Sequence, residues 1–166
     1  MTHPAPIAVA LDAPSLDTAA RWANLVTPHV STVKIGLELY LRYGPEAVAS
    51  VRGASNVAVF LDLKLNDIPA TVAGAARSVA RLRPELLTVH AVGGMAAVRA
   101  AVEAAPDTKI VAVTVLTSLS DADLERKFHG LSDGILGAPR SDQLLSACWS
   151  LGQASGPREL AALACP

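Results

Sequence analysis

Aromatic residues are scarce in this 166-residue chain, with two Phe, two Trp and two Tyr making up 4% of it. A core must therefore come from Ala, Val and Leu, in a sequence that is 51% hydrophobic and of a length that suits one domain with a sizeable interior. Trp22 and Trp149 read as packing residues. Cysteine is equally sparse. Cys148 and Cys165 form no CxxC and have no histidine at ligand spacing, which argues against a disulfide framework and against a zinc site. Both read as ordinary small apolar residues. Neither sign of charge dominates: the net charge is −1, with no block of like charges, which speaks against nucleic-acid binding and against a polybasic membrane contact. No apolar run reaches the roughly eighteen residues of a membrane span, and the start, MTHPAPIAVALD, lacks a basic signal-peptide region. A soluble cytoplasmic protein is the expectation.

Five short β-branched runs are present: IAVALD (7–12), TVKIG (32–36), VAVFLDLK (57–64), LLTVH (86–90) and KIVAVTVLT (109–117). Ala-rich helical patterns lie between them. SLDTAARWANLV opens with Ser15 as a candidate N-cap, and LELYLRYGPEAVASV is interrupted at Gly44-Pro45. DIPATVAGAARSVARL carries Asp67 as a candidate N-cap with Pro69 in the first turn, and GGMAAVRAAVEAA follows a double glycine. This alternation is the βα rhythm of a parallel sheet.

Parity within the strands narrows the architecture. Val33 and Ile35 flank Lys34; Val59, Leu61 and Leu63 alternate with Phe60, Asp62 and Lys64; Leu87 and Val89 alternate with Thr88 and His90. One face of each strand is apolar and suited to cover by helices. The other ends in a polar residue near the strand's C-terminal end: Asp12, Lys34, Lys64, His90, Thr114. A closed barrel exposes its inner face to solvent at that end, whereas an open doubly wound sheet is covered on both faces. The expected fold is α/β, of the (β/α)₈ TIM-barrel type. It is expected to be incomplete, with about five βα units over residues 1–120 followed by a divergent, mainly helical or irregular and poorly ordered tail at 121–166. Valine occurs seventeen times up to Val115 and never afterwards, and a standard barrel takes more than about 200 residues. In the tail, HGLSDGILGAPRS reads as loop, while SDQLLSACWSLGQ and PRELAALA read as short amphipathic helices.

The chemistry concentrates in DLKLNDIPATV (62–72), which sets Asp62, Lys64 and Asp67 straight after a buried apolar run. Alternate strand residues share a face, so Asp62 and Lys64 point the same way. Such a charged pair at the end of a buried strand is costly unless the charges offset one another. With ALD at 10–12, VKIG at 33–36, TVHA at 88–91 and VTVLTS at 113–118, the chain resembles the orotidine 5′-phosphate decarboxylase family over roughly residues 5–125. The Asp-x-Lys-x-x-Asp core is shared with a wider group of barrel enzymes acting on sugar phosphates, and NDIPATV singles out the decarboxylase.

The resemblance implies a cofactor-free, metal-free lyase acting on a small nucleotide. It would convert orotidine 5′-monophosphate to uridine 5′-monophosphate in pyrimidine synthesis. Lys64 would protonate the carbon that loses the carboxylate, and Asp62 would sit beside that carboxylate. Asp67 and Thr71 would reach the site from the partner subunit of a homodimer. Asp12 and Lys34 would contact the ribose hydroxyls, with Lys34 also joining the charge array, and Thr117 would meet the pyrimidine ring. The chemistry agrees, since a cation at a ring carbon with no adjacent electron sink stabilises developing negative charge, and a general acid must arrive protonated.

Other readings of the same residues remain open. Asp12 could cap a turn, Lys34 could reach solvent, Asp67 could serve only as a helix cap, and His90 could be structural. Gly93-Gly94 reads as a helix opening rather than a phosphate loop. The family's phosphate-gripping loops have no counterpart here, and Arg140 and Arg158 carry no assignment. Activity is therefore expected to be impaired. The alternatives are a sugar-phosphate lyase or isomerase of the same barrel group, and a non-catalytic remnant acting only in dimerisation.

Overall fold

All five β-branched runs become parallel strands of one sheet: β1 (Ala5–Ala10), β2 (Val30–Gly36), β3 (Ala58–Leu65), β4 (Leu86–His90) and β5 (Lys109–Val113). Their order in space is their order in sequence. Right-handed crossovers between successive neighbours place the connecting helices on one face, which leaves the other face as the inner wall of a half-barrel. A doubly wound sheet would instead reverse its strand order partway. The computed structural model describes residues 4–54, 57–150 and 157–165. These divide into two compact units, Met1–Thr114 and Val115–Pro166.

In the first unit the helices are α1 (Leu16–Val26), α2 (Leu37–Tyr43), α3 (Pro45–Ala54), α4 (Pro69–Ala80) and α5 (Gly94–Ala104). Ser15 caps α1 by accepting the Thr18 amide at 3.2 Å. Gly44, at φ 58°, ends α2 in a left-handed conformation open to glycine, and Pro45 begins α3. Gly93 and Gly94 close a 3₁₀ turn (Ala91–Gly93) and open α5, as the double glycine suggests. The core matches the composition: Val33, Ile35, Val59, Leu61, Leu87 and Val89 of the sheet are buried against Ala23, Val51, Val72, Ala76 and Ala101. Alanine on the helices lets them lie close to the sheet without aromatic filler.

Strand parity holds in β2, β3 and β4, which have neighbours on both sides, and weakens at the two edges. Ile7 of β1 is 54% exposed, and Val111 of β5 is also exposed, so helix cover of the apolar face is incomplete there. The fifth strand is shorter than the 109–117 run. Its last residue paired with β4 is Val113, opposite His90, where β4 passes into the 3₁₀ segment at Ala91. Neither tryptophan lies in the core: Trp22 is 37% and Trp149 54% exposed. Cys148 and Cys165 are free and exposed.

The second unit holds α6 (Asp121–Leu136), α7 (Ala138–Trp149) and α8 (Pro157–Ala164). The expected loop at 129–141 is instead helical on either side of Gly137, which sits at φ 77°. Glycine, serine and proline in that stretch outweighed a real helical signal. Leu124, Phe128 and Leu131 recur at i, i+4, i+7 and line an apolar groove of about 350 Å³ with Leu145 and Trp149. A capping box between Ser120 and Asp123 starts α6, and Pro139 occupies the first turn of α7. His129 joins the two helices, 3.1 Å from Asp133 and 3.6 Å from Asp142. Its hydrogen bond to Asp133 holds the imidazole above its ordinary value. Arg140 donates to the carbonyls of Ala162 and Leu163 at the end of α8. The helix expected over 141–153 is described as far as Trp149, its last three residues lying outside the described range, as does the side chain of Arg158. No helix among the described residues is long and apolar enough to cross a membrane.

Candidate active site

The C-terminal ends of β2 and β3 bring three charges together. Lys34 on β2 and Lys64 on β3 both reach Asp62: Lys34 Nζ lies 3.0 Å from Oδ2 and Lys64 Nζ 2.8 Å from Oδ1. The parallel register explains the convergence. Lys34 stands opposite Phe60, and Gly36 opposite Asp62, so a long lysine stem extending toward the C-terminal end reaches the carboxylate. Asp62 is only 7% exposed, whereas both lysines keep part of their side chains in solvent. Burial pushes the Asp62 carboxyl up, but hydrogen bonds from Lys64, Lys34 and Thr88, with the Lys34 charge, outweigh it and hold the group below its usual range.

Lys64 has an unusual backbone. Its φ is 47°, a left-handed conformation that costs a non-glycine residue about 1 kcal/mol or more. The cause is a bulge in β3. Leu61 pairs with Leu87 and Leu65 with Val89, so four steps along β3 match two along β4. The amide of Lys64 leaves the ladder and donates to Thr88 Oγ at 2.8 Å, while the same hydroxyl donates to Asp62 Oδ1 at 3.0 Å. Thr88 is 3% exposed. Sequence reasoning missed this residue as part of the site. Its signals were its place in the TVHA segment at 88–91 and on the polar face of β4, two residues before His90, and a lone strand threonine is unremarkable on β-propensity alone.

The other site residues stand as follows. Asp12, exposed beyond β1, lies against Gly36, where an added Cβ would come 2.8 Å from Asp12 Oδ1. Asp67 is exposed and makes no ion pair among the described residues. Its carboxylate accepts the Ile68 amide at 2.7 Å, and the N-cap of α4 is Ile68 rather than Asp67. Proline at the first helical position already removes one unsatisfied amide, so the helix starts without a side-chain cap. Thr71 is exposed in the first turn of α4, and Thr117 occupies an exposed turn after β5, in the second unit. The structure thus brings together Lys34, Asp62 and Lys64 and adds Thr88, and among the described residues of the first unit neither Asp67 nor Thr71 joins that cluster's hydrogen bonds. Among the described residues no group of three or more His, Cys, Asp or Glu could hold a metal ion.

A bidentate carboxylate between two ammonium groups can hold a proton donor charged and aimed beside an anionic substrate. Comparison with known proteins identifies the family. The family model described as Orotidine 5′-phosphate decarboxylase / HUMPS family matches residues 5–161, past residue 125 where the motif resemblance stops. The chain is 73% identical over 120 residues to an orotidine 5′-phosphate decarboxylase of Thermobifida fusca, covering 72% of this chain and 52% of the relative. It is 46% identical over 165 residues to one of Anaeromyxobacter dehalogenans, covering 95% and 69%. The chain thus spans about half the length of the first of these and about two-thirds of the second. The crystal structure of orotidine 5′-phosphate decarboxylase from Lactobacillus acidophilus superposes with a TM-score of 0.63 at 34% identity, over 74% of this chain and 58% of that one. With the ordered half-barrel and the Lys-Asp-Lys cluster at its rim, the chain belongs to the orotidine 5′-phosphate decarboxylase family.

Proposed function

We propose that the Lys34–Asp62–Lys64 cluster serves decarboxylation of orotidine 5′-monophosphate to uridine 5′-monophosphate. The observation that carries this reading is the placement of two lysine ammonium groups on one buried carboxylate at the C-terminal rim of the sheet, where barrel enzymes build their active sites. The bond between the ring carbon and the carboxylate breaks, carbon dioxide leaves, and the electron pair remains on the ring carbon. The Lys64 ammonium stabilises that charge and delivers the proton that quenches it. Asp62 keeps both lysines in place and faces the departing carboxylate. Asp12 and Lys34 bind the ribose hydroxyls. The relatives named above as decarboxylases favour this substrate over a sugar phosphate.

Asp67 and Thr71 act across a homodimer. Both are exposed near the start of α4, as are the apolar Ile68, Val92 and Met95, and the turn at Gly93 comes close to the Asp67 carbonyl, so exposed apolar surface is available there for a twofold interface. Mixing tests this together with the activity. A Lys64→Ala chain and an Asp67→Ala chain, each inactive alone, form hybrids with one intact site if Asp67 acts in trans. Loss of orotidine absorbance should then return to about a quarter of the wild-type rate, half of the dimers being hybrids with one site of two. No recovery from subunits shown to exchange would place Asp67 on its own chain's site, and an active Asp67→Ala chain would place it outside catalysis.

Gly36→Ala gives a narrower check. The new methyl displaces the Asp12 carboxylate, while the backbone at Gly36, φ −80°, accepts alanine. The expected result is KM raised about tenfold, the scale of one lost hydrogen bond to a charged group, with little change in melting temperature. An unchanged KM would remove Asp12 from substrate binding.

A further inference from the structure

We propose that Thr88 is a positioning residue, its side-chain hydroxyl locking the Lys64 backbone and the Asp62 carboxylate into one unit. The inference rests on the reading above that Lys64 delivers the proton, and it assigns a role to a residue outside the charged motif.

The hydrogens on this hydroxyl can be placed from its partners. The Lys64 amide can only donate, so at 2.8 Å the Thr88 oxygen must accept from it. The one hydroxyl proton is then free for Asp62 Oδ1 at 3.0 Å, and an ionised carboxylate can only accept. Oδ1 is the same oxygen that holds Lys64 Nζ. Three hydrogen bonds therefore close a loop: the Lys64 amide donates to Thr88, Thr88 donates to Asp62 Oδ1, and the Lys64 ammonium donates to that same oxygen. The loop ties the two ends of one lysine, its main chain and its Nζ, to a single buried anchor on the neighbouring strand.

The bulge makes this anchor necessary. Because β3 advances four residues while β4 advances two, the Lys64 amide has lost its place in the ladder, and a buried amide left unpaired is strongly disfavoured. The left-handed backbone at Lys64 persists only where its surroundings over-determine it. A hydroxyl on the inward face of β4 meets both needs, and Leu87 and Val89 on either side point into the apolar core, so no other side chain of that stretch of β4 can substitute.

Thr88→Val keeps the shape and removes both bonds. The expected result is a fall in kcat of about ten- to a hundredfold, the scale of one or two hydrogen bonds to charged or buried groups. KM should stay within about threefold, because ground-state binding is untouched. Thr88→Ser should restore most of kcat. Two readouts on the free protein need no turnover: the Asp62 carboxyl, followed by carbon NMR, should titrate at higher pH in Thr88→Val and return in Thr88→Ser, and the Lys64 amide should exchange faster with solvent. If Thr88→Val does not fold, Thr88→Cys, whose thiol is a weak donor and acceptor, should give the same pattern. A folded variant with unchanged Asp62 titration and Lys64 exchange overturns the proposal, as does a changed titration with wild-type kcat. Absence of turnover in the wild-type chain would refute the decarboxylase reading alone, and the two NMR readouts would still decide the role of Thr88.

Discussion

Lys64→Ala is expected to reduce single-turnover decarboxylation by about a thousandfold or more while leaving the chain folded. The magnitude follows from two losses at one atom. Proton delivery by a positioned general acid contributes about 10²- to 10⁴-fold, and removing one charge-stabilising donor from a preorganised site costs about 10²- to 10³-fold. The fold should tolerate the change because Asp62 keeps Lys34 at 3.0 Å and Thr88 at 3.0 Å. Alanine bears the same left-handed backbone as lysine, so only the lost ion pair to Asp62, about 1 kcal/mol or less, should lower the melting temperature. Activity within tenfold of wild type in a folded Lys64→Ala chain would show that another group supplies the proton.

Asp62→Ala should combine a large loss of activity with a measurable loss of stability. Without the carboxylate, two ammonium groups face one another at a partly buried strand end, and the Thr88 hydroxyl loses its acceptor. Breaking a fully buried pair costs about 3–5 kcal/mol. Both lysines reach solvent here, so a cost of about 2 kcal/mol is expected by denaturant unfolding. Activity should fall about a hundredfold or more as Lys64 loses its orientation.

The pH dependence carries the same signature. The Asp62 carboxyl titrates below its ordinary value in the folded chain, so the unfolded state binds the proton more readily. Its stabilising contribution is complete above the unfolded carboxylate value of about 3.9. It is lost as pH falls below that and through the folded value. Wild-type stability should therefore drop more steeply below about pH 4 than that of Asp62→Ala, and parallel curves would contradict the assigned interactions.

Much of this was legible in the sequence where periodicity and burial coincide. In β2, β3 and β4, which have neighbours on both sides, the alternation of Val33, Ile35, Val59, Leu61, Leu87 and Val89 with polar residues reports the buried face directly. The same parity placed Lys34, Asp62 and Lys64 at one rim. Edge strands obey it less, because their outer flank lacks a partner, as Ile7 and Val111 illustrate. Thr88 was not legible as a site residue, since its role depends on a bulge that breaks register between Leu61 and Leu65, and nothing in a one-dimensional pattern marks a register shift. Asp67 looked like a helix cap because aspartate before Ile-Pro fits that statistic. The proline changed which residue begins α4. The helical run through Gly130 and Gly134 was hidden by residues that favour turns, although the apolar spacing of Leu124, Phe128 and Leu131 carried the signal.

The central claim is that the Lys34–Asp62–Lys64 cluster of this chain removes the carboxylate of orotidine 5′-monophosphate. Its most direct test is release of labelled carbon dioxide from substrate labelled at that carboxylate, compared between the wild-type chain and Lys64→Ala at equal folded concentration. Enzyme-dependent release by the wild type, with none above background from Lys64→Ala, is the expected result. No release from the folded wild-type chain, or equal release from both, would contradict it.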